Sequence, residues 1–569
     1  MEYIAFGILA LVFIAVIVGK DIYNDRKKQK LFEHSLRKDY GTLREKKQNL
    51  ERFARMDRYY KKHSEKGQVD DITWNDLGMD EVFLNMNHTY SASGEEYLYY
   101  TLRSAGKSDE ELAELENLIQ YFMGHEDERV TAQLIMAKLG YMGKYSLYDY
   151  LDNLEYLGER SNRKAILLDL LYLPFACLLP FAVSYGILGI VALTIYNITT
   201  YFREKSDIEP YIISFQYILK LLDAIEKMDK LAEKVKQPQL ESALMQLKEK
   251  KKALMPLRKG SFWVVSGNGS LGGSNPLDLI LDYVKMTLHI DLIQFNKMLL
   301  FVRKHAEVVD QVNTILGKME TAIAIGAWRT DLAKRNGFCI PVLKEQGEIC
   351  LELKEGYHPL MKEPVKNSVT SKEGVLLTGS NASGKSTFLK MVALNAILAQ
   401  TVHTCTAEAY RAPYFRLYSS MSLRDDLEGG DSYYVVEIKA LKRILTAAKE
   451  PGRPVLCFVD EVLRGTNTVE RIAASTQILK SLHGDGVLCF AATHDIELTQ
   501  LLEKFYDNYH FEEEIVDGDI LFQYRLLPGK ATTRNAIKLL EIMGYDPEVI
   551  QNAQGMAEDF LRTGQWKEA

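Results

Sequence analysis

Apolar and polar positions divide the chain into stretches of different period. Tyr3 to Gly19 is an uncharged apolar run of about 17 residues, roughly 25 Å as a helix, enough to cross a hydrocarbon core of about 30 Å with some thinning. From about Asp21 to Lys62 the sequence is charged, with sparse apolar positions such as Leu43, Leu50 and Phe53, and predicts a solvated helix. Between Ala165 and Phe202 apolar residues dominate again, as two runs, Ala165–Ala182 and Val183–Tyr201, with Ser184-Tyr-Gly186 predicted as the turn between them. From Asp207 to about Arg335, Ile212, Phe215, Ile218 and Leu222 recur at helical spacing, so long amphipathic helices are expected, broken by the Gly-rich loop Gly260 to Pro276. After Gly337 the period changes to that of strands, in Ile349–Leu353, Val375–Leu377, Pro454–Asp460 and Val487–Thr493.

Charge gives the apolar runs a direction. Lys20, Arg26, Lys27, Lys28 and Lys30 follow the first run, and no basic residue precedes it. That order fits a membrane anchor with its amino terminus outside and is a poor fit to a signal peptide. Arg160, Arg163 and Lys164 precede the second apolar region and Arg203 and Lys205 follow it, so both flanks of a transmembrane hairpin would be cytoplasmic. Asp169, Pro174 and Pro180 count against its first helix and leave a re-entrant hairpin or a buried core pair as alternatives. The expected location is the cell membrane, multi-pass, with the carboxyl-terminal domain in the cytoplasm. The chain of 569 residues is 47% hydrophobic and 26% charged, with a net charge of -7, which excludes a disordered chain and gives no overall basic field for nucleic acid. A nucleic-acid partner would have to meet a local patch, either the juxtamembrane cations or Lys248–Lys252. The six cysteines show no C-x-x-C spacing and read as reduced thiols.

The candidate chemistry lies where a strand, a Gly-rich turn and a helix start meet. Val375-Leu-Leu-Thr is followed by Gly379, Ser380, Asn381, Ala382, Ser383, Gly384, Lys385, Ser386 and Thr387, a full G-x-x-x-x-G-K-[ST] P-loop. Its backbone N–H groups and the N-terminal end of the helix suit the α- and β-phosphates of ATP, Lys385 the β- and γ-phosphates, and the Ser386 hydroxyl Mg²⁺. The bland alternative is a chance Gly-rich turn before a helix. Downstream, the apolar run from Pro454 ends in Asp460 and Glu461, and a second ends in His494. Asp460 would hold Mg²⁺, Glu461 would polarise the attacking water, and His494 would sense the γ-phosphate. This order of pieces is that of ABC-type ATPases.

The wording of these motifs resembles one branch of that superfamily, the MutS-type ATPases. Asp460-Glu-Val-Leu-Arg-Gly-Thr-Asn-Thr468 is similar to the family's D-E-x-x-R-G-T-x-T, and Ala492-Thr-His-Asp-Ile-Glu-Leu498 to its A-T-H-x-x-E-L. Glu428-Gly-Gly-Asp-Ser432, then Tyr-Tyr-Val-Val-Glu437, stands where the family has a short Gly- and Ser-containing signature. The resemblance implies that Ser432 acts in trans, on a partner's ATP. Thr89 to Leu102 carries a loose T-x-x-G-x-x-x-L, the pattern that opens the family's helical core or lever domain. The carboxyl-terminal segment from Tyr524 also resembles the family's closing segment, in which helices dimerise. Two departures stand out. Tyr357-His-Pro359 is followed by Val365 where the family commonly has an adenine-stacking aromatic, and Tyr524 is the candidate for a second base contact. No mismatch-reading domain with a Phe-x-Glu wedge is recognisable ahead of Thr89.

The expected fold is therefore an α/β ABC-type P-loop ATPase domain plus an all-α lever or core domain, with transmembrane helices. The expected partition is a transmembrane helix (1–20), a basic juxtamembrane helix (21–62), helical core in two parts (63–164 and 203–335) around a hairpin (165–202), and the ATPase domain (336–569). The resemblance implies a homodimer that hydrolyses ATP with Mg²⁺ and closes on DNA, with links to mismatch repair or recombination. The alternatives are an ABC-type ATPase that drives its own membrane helices, or an ATP-dependent membrane scaffold.

Overall fold

The computed structural model describes all residues except 1–18, 21–22, 43–49, 66, 144, 234, 236–237, 266–275, 346, 381–382, 422–432, 465, 517–518, 532–535 and 567–569. The expected first transmembrane run, Asn381, Ala382 and Ser432 thus lie outside the described residues. The chain divides into two compact units: residues 1–63, 87–100 and 116–327, and residues 64–86, 101–115 and 328–569.

The first unit is helical. Its longest element is Val183–Ala232, a single helix of 50 residues with Pro210 inside it. Ile208, Ile212, Phe215, Ile218, Leu221, Leu222, Ile225 and Met228 are buried, the amphipathic stripe that the periodicity predicts. The segment that leads into the helix Ala92–Arg103 is fixed by the helix Ala306–Arg335: Glu320 accepts hydrogen bonds from the Tyr90 N–H and the Ser91 hydroxyl, and Ser93 Oγ donates to Asn313 Oδ1 at 2.6 Å.

The apolar region 163–202 forms a helical pair, but its breaks fall elsewhere than expected. The first helix is interrupted at Leu171, giving Arg163–Leu170 and Tyr172–Leu178, and the reversal lies at 179–182. Ser184-Tyr-Gly186 is inside the long helix. Gly186 and Gly189 are there for close approach and not for a turn: a Cβ on Gly189 would come within 2.2 Å of the Phe175 ring, and one on Gly186 within 2.9 Å of Leu179 Cδ2. Asp169, the carboxylate that counts against the first helix, pairs with His289 Nδ1 at 3.0 Å. Around this pair the apolar side chains face outward: Leu167 is 64% exposed, Leu188 67%, Tyr185 75% and Phe181 89%. The apolar window of the helix Val183–Ala232 is only 17% buried, and it is the one described helix long and apolar enough to cross a membrane.

The second unit is built on strands β1 (Val342–Lys344), β2 (Leu351–Gly356), β3 (Asn367–Ser371), β4 (Val375–Thr378), β5 (Ala409–Pro413), β6 (Arg416–Ser420), β7 (Val455–Asp460), β8 (Val487–Ala492), β9 (Asp507–His510), β10 (Glu513–Val516), β11 (Asp519–Phe522) and β12 (Leu527–Pro528). A six-stranded sheet has the order β12-β9-β4-β8-β7-β6, in which β9, β4, β8, β7 and β6 run parallel. A four-stranded mixed sheet has the order β1-β5-β2-β3, and β10 and β11 form a hairpin. The helix Lys385–Thr401 touches β2 of one sheet and β6, β7 and β8 of the other. Packing on both sides explains why residues 388–389 and 391–401 are all buried, with no polar face.

Residues 64–86 and 101–115 group with these sheets, although the expected partition placed them in the helical part. Polar contacts are part of that attachment, and hydrophobic periodicity does not reveal them. Asp76 accepts from Ser419 Oγ at 2.6 Å and from the Met421 N–H at 2.9 Å, Asp70 meets Arg443 at 2.7 Å, and Arg453 donates to the Lys107 carbonyl at 3.0 Å.

Candidate functional site: a phosphate-binding loop at three strand ends

Ligands of open parallel sheets lie beyond the carboxyl ends of the strands, and the candidate residues converge there on β4, β8 and β7. Register places Leu377 opposite Ala492 and Ala492 opposite Asp460, so the residues that follow each strand emerge side by side. From β4 come Gly379 to Gly384, from β8 comes His494, and from β7 come Asp460 and Glu461.

Both loop glycines are required by geometry. Gly379 has φ +145 and Gly384 φ +106, backbone that L side chains adopt at a cost. A Cβ on Gly379 would lie 2.9 Å from the Phe511 carbonyl oxygen, and one on Gly384 3.1 Å from the Tyr524 ring. Lys385 is buried and its Nζ donates to the carbonyls of Gly379 at 2.8 Å and Ser380 at 2.7 Å, which curls the lysine over its own loop. Burial lowers its pKa from the usual ammonium value, and Asp460 and Glu461 oppose that shift. Ser386 Oγ donates to Asp460 Oδ2 at 2.5 Å. Burial raises the Asp460 pKa above the usual carboxylate value, partly offset by Ser386 and Lys385.

Glu461 sits in a strained turn, at φ +55, with Leu463 at φ +57 two residues on. Its N–H donates to the Ala492 carbonyl at 2.9 Å, which ties the turn to the end of β8. Its carboxylate meets His494 Nε2 at 2.9 Å and Arg464 Nε at 3.1 Å. Burial lowers the His494 pKa, as does the Lys385 charge, so the imidazole is held toward its neutral form. Next to it, Asp495 makes a two-point contact with Arg471 at 2.9 and 2.6 Å, which fixes the start of the following helix.

A cavity of about 410 Å³ opens over the loop. Its lining includes Ser383, Gly384, Lys385, Ser386, Glu461 and His494 among the polar residues and Met361, Val365, Phe388, Met391, Phe511 and Tyr524 among the apolar and aromatic ones. Tyr524 stands at φ +54 over Gly384, and its carbonyl accepts from Asn367 Nδ2 at 2.9 Å. The sequence had marked the lack of an aromatic near Val365; in the fold Val365 and Tyr524 line one cavity. Reading by motif missed His358, Met361 and Phe511, which reach the cavity from two separate segments. It also missed the contact of Ser380 Oγ with Glu513 at 2.8 Å.

The residues present fit a magnesium nucleotide. Ser383 Oγ is buried beside Gly379 with no hydrogen-bond partner, a polar atom that the loop leaves to a ligand. Ser386 and Asp460 supply two adjacent hard oxygens, the usual protein share of a Mg²⁺ site that phosphate and water complete. Among the described residues no three His, Cys, Asp or Glu side chains gather into a metal cage of their own.

Fold and site together define a P-loop nucleotide-binding domain with an Asp-Glu pair and a histidine on neighbouring strands. Residues 375–561 match the family model MutS domain V, so this part of the chain is similar to that domain. The chain is 32% identical over 259 residues to the DNA mismatch repair protein MutS of Thermus thermophilus, which covers 45% of this chain and 31% of the relative. It is 32% identical over 270 residues to the protein of the same name from a Thermotoga species, covering 45% and 32%. Against the DNA mismatch repair protein MutS 2 of Haloarcula marismortui the identity is 28% over 288 residues, covering 45% and 29%. The match thus spans about a third of the length of these relatives.

Proposed function

We propose that the chain is a membrane-anchored, MutS-type ATPase that works as a homodimer and grips DNA when ATP is bound. The observation that carries the reading is the convergence of Lys385, Ser386, Asp460, Glu461 and His494 on one cavity at three adjacent strand ends. Mg²⁺ held by Ser386 and Asp460 would neutralise charge on the β- and γ-phosphates. Lys385 would exchange its two loop carbonyls for phosphate oxygens. Glu461 would take the proton of the attacking water, and His494, neutral and bonded to it, would orient that carboxylate. Tyr524 would stack on the base. Ser432 would complete the site of the partner chain.

Membrane attachment rests on the outward apolar side chains of 163–202 and their flanking cations. DNA as the partner rests on the names of the relatives and on the basic run Lys248–Lys252, of which Lys251 is already paired with Asp229 at 2.7 Å. The test is ATP hydrolysis by the detergent-solubilised full chain, with and without duplex DNA, at low and moderate salt. Stimulation by DNA that weakens with salt supports the reading. Hydrolysis indifferent to DNA at both salts would favour an ATPase acting on its own membrane helices or as a scaffold, and no Lys385-dependent hydrolysis would overturn the ATPase itself.

A further inference from the structure

One buried carboxylate beside the site has no part in the chemistry so far. Glu437 lies one turn into the helix Tyr433–Lys449 and is 3% exposed. It does not line the cavity. Its Oε1 accepts the N–H of Leu463, and the N–H of Arg464 also bonds to this carboxylate. Its Oε2 is buried without a partner.

The bonds fall on the turn that carries Glu461. Glu461 and Leu463 are both left-handed and neither is glycine, a conformation that costs roughly 1 kcal/mol or more per residue and persists only where the surroundings over-determine it. The surroundings here are few and specific. The turn enters through the Glu461 N–H on the Ala492 carbonyl at 2.9 Å, and Ser475 Oγ holds the Val462 carbonyl at 3.2 Å. Val462 and Leu463 are buried. Glu437 holds the N–H groups that follow. We infer that Glu437 is a positioning residue for ATP hydrolysis, which clamps the 461–464 turn from behind so that the Glu461 carboxylate faces the cavity.

This inference rests on the ATPase reading above. Burial pushes the Glu437 carboxyl up to about 7, with the Glu461 charge adding to the shift, so near neutral pH a neutral acceptor already serves for much of the time. A glutamine should therefore do the same work, whereas an alanine leaves the N–H groups of the buried Leu463 and of Arg464 without this acceptor.

The experiment compares Glu437→Gln and Glu437→Ala in the full chain by three readouts: kcat for ATP, nucleotide affinity with a fluorescent ATP analogue, and amide hydrogen exchange of the peptide that contains 461–464. Glu437→Ala should lower kcat by about tenfold to hundredfold, as a displaced catalytic group does, while affinity changes less than about threefold because the phosphate loop is untouched. Exchange in the turn should quicken by about tenfold. Glu437→Gln should restore all three. Wild-type kcat in Glu437→Ala, or unchanged exchange in the turn, would overturn the inference. So would equal loss of kcat in both variants with exchange quickened throughout the protein, the pattern of general destabilisation. Should the alanine variant not fold, Glu437→Asp, one methylene too short to reach, takes its place with the same expectations. If the wild-type chain proves unable to hydrolyse ATP, the ATPase reading fails, and the exchange measurement still decides whether Glu437 clamps the turn.

Discussion

His494 Nε2 and Glu461 Oε1 lie 2.9 Å apart, although one follows β8 and the other β7. The pair joins an imidazole that burial holds toward its neutral form to the carboxylate proposed to take a proton from water. Glu461→Gln is accordingly expected to bind ATP and stall, with turnover reduced about 10²–10⁴-fold. Steady-state hydrolysis alongside equilibrium nucleotide binding checks this, and turnover at the wild-type rate would remove Glu461 from the proton transfer. Lys385→Ala should instead lose binding itself.

The Tyr524 ring lies directly against Gly384, and both line the cavity. Replacing it with alanine should weaken nucleotide affinity by about fivefold to a hundredfold, from the loss of base stacking of about 1–3 kcal/mol, and leave the rate at saturation nearly intact. Triphosphate without a base should bind both proteins equally. A change in the saturated rate with no change in affinity would place Tyr524 elsewhere in the cycle.

In the helical unit, Glu96 is fully enclosed and accepts from Ser146 Oγ at 3.0 Å, and burial pushes its carboxyl up to about 8 from the ordinary 4.5. Between those two values the unfolded chain has released the proton while the folded chain still holds it. Its contribution to stability is therefore full below about pH 4.5 and falls as pH rises toward 8, by at most about 1.4 kcal/mol per pH unit. Glu96→Gln keeps an acceptor for Ser146 and should flatten that part of the profile, raising stability at pH 8. Denaturant unfolding at several pH values measures it, and parallel profiles for the two proteins would contradict the assignment.

The reversal at 179–182 contains Phe181, 89% exposed. A cysteine at 181, in a chain whose exposed Cys177 is changed to serine, should react with an impermeant thiol reagent added outside intact cells if 163–202 spans the membrane. A cysteine beside Lys205 should react only after permeabilisation. Protection at 181 in intact cells, with the protein still membrane-bound after an alkaline wash, would make the segment re-entrant.

Mixing Lys385→Ala chains with Ser432→Ala chains should restore part of the hydrolysis that each lacks alone, since one composite site of a mixed dimer keeps both an intact loop and an intact serine. Failure to recover in mixed dimers that demonstrably form would place Ser432 within its own chain's site.

Sequence by itself determined the parts of the site that are contiguous. The loop from Gly379 to Ser386 carries its two glycines, its lysine and its hydroxyl at the spacing that one turn wrapping one anion would need, and that spacing is visible along the chain. Asp460, Glu461 and His494 were legible for a related reason: each ends a buried apolar strand, and strand ends are where a parallel sheet puts its chemistry. The helical period of 207–232 was legible as well, because a buried stripe imposes it residue by residue.

Only the tertiary structure decided which separate segments meet. Met361, Phe511 and Tyr524 share a cavity through the folding of three loops, and no local pattern records that. Glu437 reads as the end of a signature until the fold brings the N–H groups of Leu463 and Arg464 onto it. Gly186 reads as a turn because glycine permits one, whereas the fold uses it for contact with Leu179. Residues 64–86 read as part of a helical domain, yet hydrogen bonds from Ser419 and Met421 to Asp76 group them with the sheet unit. In each case the deciding contact joins residues that no single helix or strand period links, so it leaves no pattern for the chain to show.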